Sequence, residues 1–176
     1  FTAATDDVGT VTGALTSGDT TDDTALVLSG TNESGSSVMV YNSSTQLGAA
    51  TVSGTSWSYS ATVANGTTYQ FNVRETDLAG NTSAATSNFT VTGDTTAPTA
   101  PSVSGTTPTD NTTPTWNWSA GGGGNGTYRY KLDNSNLTSG ATETTSTSYT
   151  PGSGISEASH ILYVQERDAA GNWSSS

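Results

Sequence analysis

Residues 69–81 read Tyr69-Gln70-Phe71-Asn72-Val73-Arg74-Glu75-Thr76-Asp77-Leu78-Ala79-Gly80-Asn81. Tyr69, Phe71 and Val73 alternate with polar residues, the period-two pattern of a strand that buries one face. The acidic residues and Ala-Gly-Asn that follow end the strand in a turn. Ninety-one residues further on, His160-Ile161-Leu162-Tyr163-Val164-Gln165-Glu166-Arg167-Asp168-Ala169-Ala170-Gly171-Asn172 repeats it, with His160, Leu162 and Val164 in the inward positions. One β-element is present twice.

The repeat extends over most of the chain. Phe89-Thr90-Val91-Thr92-Gly93-Asp94 echoes Phe1-Thr2-Ala3-Ala4-Thr5-Asp6, and Thr109-Asp110-Asn111-Thr112 echoes Thr21-Asp22-Asp23-Thr24, both at an offset of 88. A net insertion of three residues in the loops of the second copy accounts for the later offset of 91. Two modules follow, residues 1–93 and 94–176. The phase predicts that residues 1–5 are the end of a preceding copy's last strand, and that the second module lacks its own last strand. The chain thus reads as a window on a longer array.

Alternation places strands near 8–15, 25–29, 38–41, 49–52, 57–63, 69–74 and 83–91 in the first module. In the second they fall near 115–118, 128–132, 148–150 and 160–165, with Trp57 and Trp116 as core anchors. No sustained apolar period of 3.6 residues occurs, so the fold class is all-β: two tandem Ig-like antiparallel β-sandwiches. Composition narrows the function. There are 36 Thr and 26 Ser, no Cys, one His and a formal charge of −11. Four Lys/Arg against fifteen Asp/Glu cannot neutralise a phosphate backbone, which argues against nucleic-acid binding. Thiolate metal sites and disulfides are excluded. No run approaches the ~20 apolar residues of a membrane helix, so no membrane insertion is expected.

Asp6-Asp7-Val8-Gly9-x-Val11-x-Gly13, Thr21-Asp22-Asp23-Thr24, Asp77-x-Ala79-Gly80-Asn81 and Asp94-Thr95-Thr96-Ala97-Pro98 together resemble the bacterial Ig-like repeats of giant biofilm and RTX-type surface adhesins. The second module is similar through Arg167-Asp168-x-Ala170-Gly171-Asn172, and its Trp116-x-Trp118 strand also resembles a fibronectin type III domain. The resemblance implies secretion to the cell surface, neighbouring Ig-like repeats of the same chain as partners, and a spacer role. It also implies Ca²⁺ at domain junctions. Asp7 has no acidic counterpart near Ala97, and Asn111 stands where Asp23 stands in the first copy.

The carboxylates argue for calcium independently. In an Ig-like sandwich with the expected strands, Asp6, Asp7, Glu75, Asp77 and Glu33 fall at the entry pole of the first module. Asp19, Asp22 and Asp23 fall at its exit pole, facing Asp94, Glu166 and Asp168. Clustered carboxylates repel unless a cation intervenes, and hard oxygen ligands without His or Cys favour Ca²⁺. The expected ligands are Asp6, Asp7, Glu75, Asp77, Asp22, Asp23, Asp94, Glu166 and Asp168. The competing reading is turn chemistry, in which Asp and Asn bond to the backbone without metal. Arg74 and Arg167 could also neutralise the acids beside them.

Other candidates weigh less. His160 occupies the tyrosine-corner position of Tyr69 and reads as structural. The Gly-rich stretch 121–126 precedes a strand and has no Lys partner, so it is a loop and not a phosphate site. Trp118, Tyr128 and Tyr130 read as core, with sugar stacking as the alternative. Carboxylates at sandwich poles share no cleft, so no enzyme is expected. Ten of the twelve Asn residues lie in Asn-x-Ser/Thr sequons, formal N-glycosylation acceptors. The functional reading is an extender of a secreted surface adhesin, rigidified by calcium, projecting a distal ligand-binding region. The alternatives are a glycan- or peptide-binding module using second-module loops, and a surface-filament subunit completed by strand donation.

Overall fold

In the computed structural model, which describes all 176 residues, every regular element is a strand. The chain divides into two compact units, Phe1–Thr96 and Ala97–Ser176. No helix is long and apolar enough to cross a membrane.

Unit 1 is a sandwich of two five-stranded sheets. The first contains β1 (Ala3–Asp6), β2 (Gly13–Ala14), β4 (Ala25–Thr31), β7 (Thr51–Ser53) and β8 (Ser56–Thr62), in the order β2-β1-β4-β8-β7. The second contains β3 (Thr20–Thr21), β5 (Ser37–Asn42), β6 (Thr45–Ala49), β9 (Thr68–Thr76) and β10 (Phe89–Gly93), in the order β3-β10-β9-β5-β6. Pairing is antiparallel except between β3 and β10. Alternation selects the core: Leu26 and Leu28 of β4, Trp57 and Ala61 of β8, Val38 and Val40 of β5, and Phe71 and Val73 of β9 are buried. Each such Leu, Val or Phe contributes about 1.5–3 kcal/mol by leaving water. Gly30 lies under the Trp57 ring; a Cβ there would come within 2.7 Å of the indole, so the strand lacks a side chain where the largest ring packs.

The sequence expectation for residues 1–5 needs correction. Ala3–Asp6 pairs with β4 (Ala3 opposite Ser29, Thr5 opposite Val27), Ala4 is fully buried, and Phe1 stacks on Phe89 with ring centroids 5.0 Å apart. These residues are the first strand of unit 1. The strand expected at 8–15 is mostly a loop, ending in the two-residue β2. The last strand is also shorter than the expected 83–91. Only Phe89–Gly93 is regular, although Ser83 and Thr86 donate N–H bonds to Glu75 and Val73.

Unit 2 has two three-stranded sheets. One contains β11 (Ser102–Gly105), β12 (Trp116–Ser119) and β15 (Ser148–Tyr149), in the order β11-β12-β15. The other contains β13 (Thr127–Leu132), β14 (Thr142–Thr144) and β16 (Leu162–Arg167), in the order β14-β13-β16. Strands β11 and β14 were not apparent in the sequence. The core is built on Trp118, Tyr128, Leu162 and Val164. Trp118 is the buried anchor where Trp116 was expected. Trp116 shares its face but lies nearer the end of the sandwich, partly buried and stacked on Tyr149 at 6.2 Å.

Candidate functional site

The Asp-x-Ala-Gly-Asn segments form the same turn in both units. Asp77 Oδ1 accepts the N–H groups of Ala79 and Asn81 (2.9 and 2.8 Å), and Oδ2 accepts Asn81 Nδ2–H at 2.8 Å. Gly80 adopts φ 89°, a left-handed conformation suited to glycine. Asp168 repeats the arrangement with Gly171 N–H, Asn172 N–H and Asn172 Nδ2–H at 2.8–2.9 Å. The side-chain bond from Asn81, followed by the backbone N–H bonds, holds the Asp77 carboxyl below its ordinary 3.8. Three donors already stabilise each charge, and this geometry supports turn chemistry for Asp77 and Asp168. Glu75 accepts the N–H of Glu33, tying the loop after β4 to the end of β9.

Asp6 is not at this pole, contrary to the sequence expectation. Because β1 runs antiparallel to β4, its last residue lies beside the first residues of β4, and therefore beside Asp23. Asp6 and Asp23 are 2% and 3% exposed and meet at Thr21, which is fully buried. Thr21 Oγ1 donates to Asp6 Oδ2 at 2.7 Å and accepts Asp23 N–H at 3.1 Å. Asp6 Oδ1 takes Val8 N–H, and Asp23 Oδ1 takes Ala25 N–H. Asp23 Oδ2 is buried with no hydrogen-bond partner.

Two more acids reach this end of unit 1. Asp94 N–H donates to Thr21 O at 2.8 Å, and the Asp22 carboxylate lies over Gly9, where a Cβ would meet Oδ2 at 2.1 Å. Asp7 is exposed nearby in sequence. Strand β3 is the organiser: Thr20–Thr21 pairs in parallel with β10 and so brings Asp22, Asp23 and Asp94 to the end of β1. No three Asp, Glu or His side chains converge into a preformed metal cage.

In unit 2, Glu166 is 1% exposed. Its Oε1 accepts Gly126 N–H at 3.3 Å, and Oε2 is buried without a partner. A Cβ on Gly124 would lie 2.1 Å from Glu166 Cδ. The Gly-rich loop therefore wraps a buried carboxyl at van der Waals distance, a packing reason for the glycine run. Burial first, then the charge of Glu166, raises the Tyr128 phenol above its ordinary 10.0. Asn125 fastens the same loop, donating to Arg167 O and Asp168 O at 2.8 Å each.

The arginines lie over rings. Arg74 Cζ is 5.5 Å from the Tyr41 centroid, while Arg129 and Arg167 stand 4.3 and 5.4 Å from that of Trp173. Trp118 and Tyr128 are buried and packed edge to face, so they fill the core and offer no sugar platform. The sequons acquire a local explanation as well. Asn111, Asn125 and Asn136 each accept through Oδ1 the N–H of the Thr two residues on, at 2.9–3.1 Å. Asn-x-Thr here spells an Asx-turn. An open cleft of about 760 Å³ lies between the loop after β11 and the loop before β16, lined by Val103, Trp116, Ile155, His160 and Leu162.

These features define tandem β-sandwich modules whose loops are held by their own side chains. The chain belongs to the bacterial Ig-like domain family, which it matches over residues 2–95. Among solved structures, it is similar to the fibronectin(III)-like modules of Clostridium thermocellum CbhA. The identity is 16% and the TM-score 0.54, covering 91% of this chain and 86% of that one. It is also similar to the FN1–FN3 domains of chicken CNTN1, at 11% identity and a TM-score of 0.45, covering 98% of this chain and 62% of that one. No curated protein matches. Domains of this family are typically structural modules without enzymatic activity, and they occur commonly in extracellular and surface proteins.

Proposed function

We propose that the two units are extender repeats of a secreted cell-surface adhesin, spacing a distal ligand-binding region from the cell, with Ca²⁺ bound at the carboxylate-rich end of unit 1. The observation that carries the calcium reading is the Asp6–Thr21–Asp23 arrangement. The Thr21 hydroxyl donates to the buried Asp6 carboxylate and accepts the Asp23 backbone N–H, and one oxygen of the buried Asp23 carboxylate has no donor. Burying like charges together is costly unless a cation compensates them. Asp6 and Asp23, with Asp22 and Asp94 alongside, supply hard oxygens. Calcium tolerates the irregular shell of carboxylate, backbone carbonyl and water ligands that such a set permits. Bound there, it would brace the start of the segment 94–98 that leads into unit 2. Asp77, Asp168 and Glu166 contribute less to this reading, because turn donors or loop packing already accommodate them.

The test is thermal unfolding of the full chain in EDTA, in millimolar CaCl₂ and in MgCl₂. A site filled to about 100 times its dissociation constant stabilises by about 2.7 kcal/mol, a shift of several degrees. A calcium-specific rise that shrinks in Asp23→Asn supports the proposal. Equal responses to calcium and magnesium, or none, would remove the metal from it.

A further inference from the structure

The two units close the same corner with different chemistry. In unit 1 the hydroxyl of Tyr69 accepts Ala64 N–H at 3.1 Å, fastening the preceding loop to the start of β9. His160 stands in the matching place before β16. Its Nδ1 lies 2.6 Å from Asp133 Oδ2, and its Nε2 lies 3.0 Å from the Ser156 carbonyl oxygen and 3.4 Å from Ser156 Oγ. A carboxylate oxygen and a carbonyl oxygen can only accept. Both short contacts are therefore hydrogen bonds at once only when both ring nitrogens carry protons. Asp133 is itself fixed: its other oxygen accepts Ile161 N–H at 2.8 Å, and its own N–H donates to Ile161 O at 2.7 Å.

One imidazole thus joins the turn after β13, the loop before β16 and the approach to β16. The charged groups around it favour a proton. Asp133 touches the ring, while Asp110 and Glu157 line the same cleft as His160. Lys131 is directed to Asn136 O and Ser139 O, at 3.2 and 2.7 Å. The His160 side chain is 15% exposed, enough to exchange its proton with solvent.

We propose that His160 is a proton-operated corner clamp: doubly protonated, it bridges Asp133 and Ser156 and holds the loop 151–161 to the turn after β13, and on losing one proton it gives up one of the two bonds and loosens the loop. Asp133 first, then the Ser156 carbonyl, raises the ring above its ordinary 6.5, while the His160 bond lowers Asp133 below 3.8. The ring's contribution is complete below pH 6.5 and is lost as pH rises through its folded value above that. The Asp133 contribution is complete above pH 3.8 and is lost as pH falls through its own lowered value. The clamp is closed between those limits and opens on the alkaline side, as pH rises through the ring's raised value.

The test uses the full chain, in which His160 is the single histidine and its ring resonances assign themselves. The ring should titrate above 6.5. Hydrogen-exchange protection in 151–161, corrected for intrinsic rates, should fall about fivefold between about pH 5.5 and about pH 9, the equivalent of one lost hydrogen bond. The loop before Tyr69 should show no such change. His160→Tyr, which restores the corner residue of unit 1, should abolish the pH dependence, and Asp133→Asn should lower the ring's titration midpoint. Titration at or below 6.5, or a pH-dependent loss of protection that survives His160→Tyr, overturns the proposal. Should His160→Tyr fail to fold, the Asp133→Asn midpoint decides alone.

Discussion

Asp6 and Asp23, seventeen residues apart, are joined through one buried hydroxyl: Thr21 Oγ1 gives its proton to Asp6 Oδ2 and receives the N–H of Asp23. The chain crosses from one sheet to the other at this point, so the three residues link the end of β1 to β3 and the start of β4. Thr21→Val keeps the shape and deletes the donor. Asp6 Oδ2 and Asp23 N–H would then both be buried without that partner, and a cost of about 2–3 kcal/mol is expected. Denaturant unfolding should show the loss in the transition of unit 1. Thr21→Ser, which keeps the hydroxyl, should recover most of it. Equal losses in both variants would mean that methyl packing, and not the hydroxyl, holds the site.

The glycine run in unit 2 makes a sterically sharp prediction. Gly124 faces Glu166, Gly123 and Gly126 adopt positive φ (83° and 81°), and Gly121 lies against the carbonyls of Thr99 and Ala100. Gly124→Ala should force the buried carboxyl to move and destabilise unit 2 by about 1–3 kcal/mol. Gly152→Ala, with open space around the new methyl, should be nearly neutral. Comparing the two by thermal unfolding separates a close approach from the general stiffening that Gly→Ala brings.

The Asp-x-Ala-Gly-Asn turns predict an asymmetry between matched residues. Asp168 is buried and Asp77 is only half-buried, yet each accepts from the same kind of donors. Asp168→Ala should cost about 2 kcal/mol, because it leaves buried N–H groups unpaired. In Asp77→Ala water can replace the carboxylate, and the loss should be smaller. The lowered pKa of Asp77 adds a pH signature. Its contribution is present above pH 3.8 and disappears as pH falls through the folded value below it, so the acid limb of unit 1 should flatten in Asp77→Ala.

How much of this was legible depends on the range over which each signal acts. Alternation in 69–73 and 162–164 is local, and it identified the central strands and their buried face. The Ala-Gly-Asn turns and the tyrosine-corner position are local too. Strand pairing is not. Asp6 was placed at the wrong pole because its neighbours depend on Ala3–Asp6 joining β4, which its likeness to residues 89–94 obscured. The inward face of Trp116-x-Trp118 was legible, but which ring lies deeper depends on where the sheet ends. Asp133 meets His160 across 27 residues, with no local pattern announcing it. The sequons are ambiguous for the opposite reason: Asn-x-Thr has a glycosylation meaning and a turn meaning, and three of these sites bond as turns.

Trp173 is faced by two cations. Arg129 comes from β13 and Arg167 from β16, and both guanidinium groups lie against the Trp173 indole. Arg129 is further fixed by Nε–H donating to Gln165 Oε1 at 2.7 Å, which keeps its plane near the ring. A cation over an indole is worth about 0.5–2 kcal/mol, the larger figure when water is excluded. The residues after Asn172 are held to β16 chiefly by Ser174, whose N–H donates to Glu166 O at 2.9 Å and whose Oγ accepts Glu166 N–H at 3.0 Å. The ring stack adds to these bonds in keeping the segment down. A double-mutant cycle of Arg129→Met and Trp173→Leu should give a coupling of about 1 kcal/mol, unchanged in high salt because the attraction is short-range and partly shielded. Additive losses would show that the ring contributes by area alone. Since Met preserves most of the aliphatic stem of Arg129, a coupling in this cycle reports the charge over the ring.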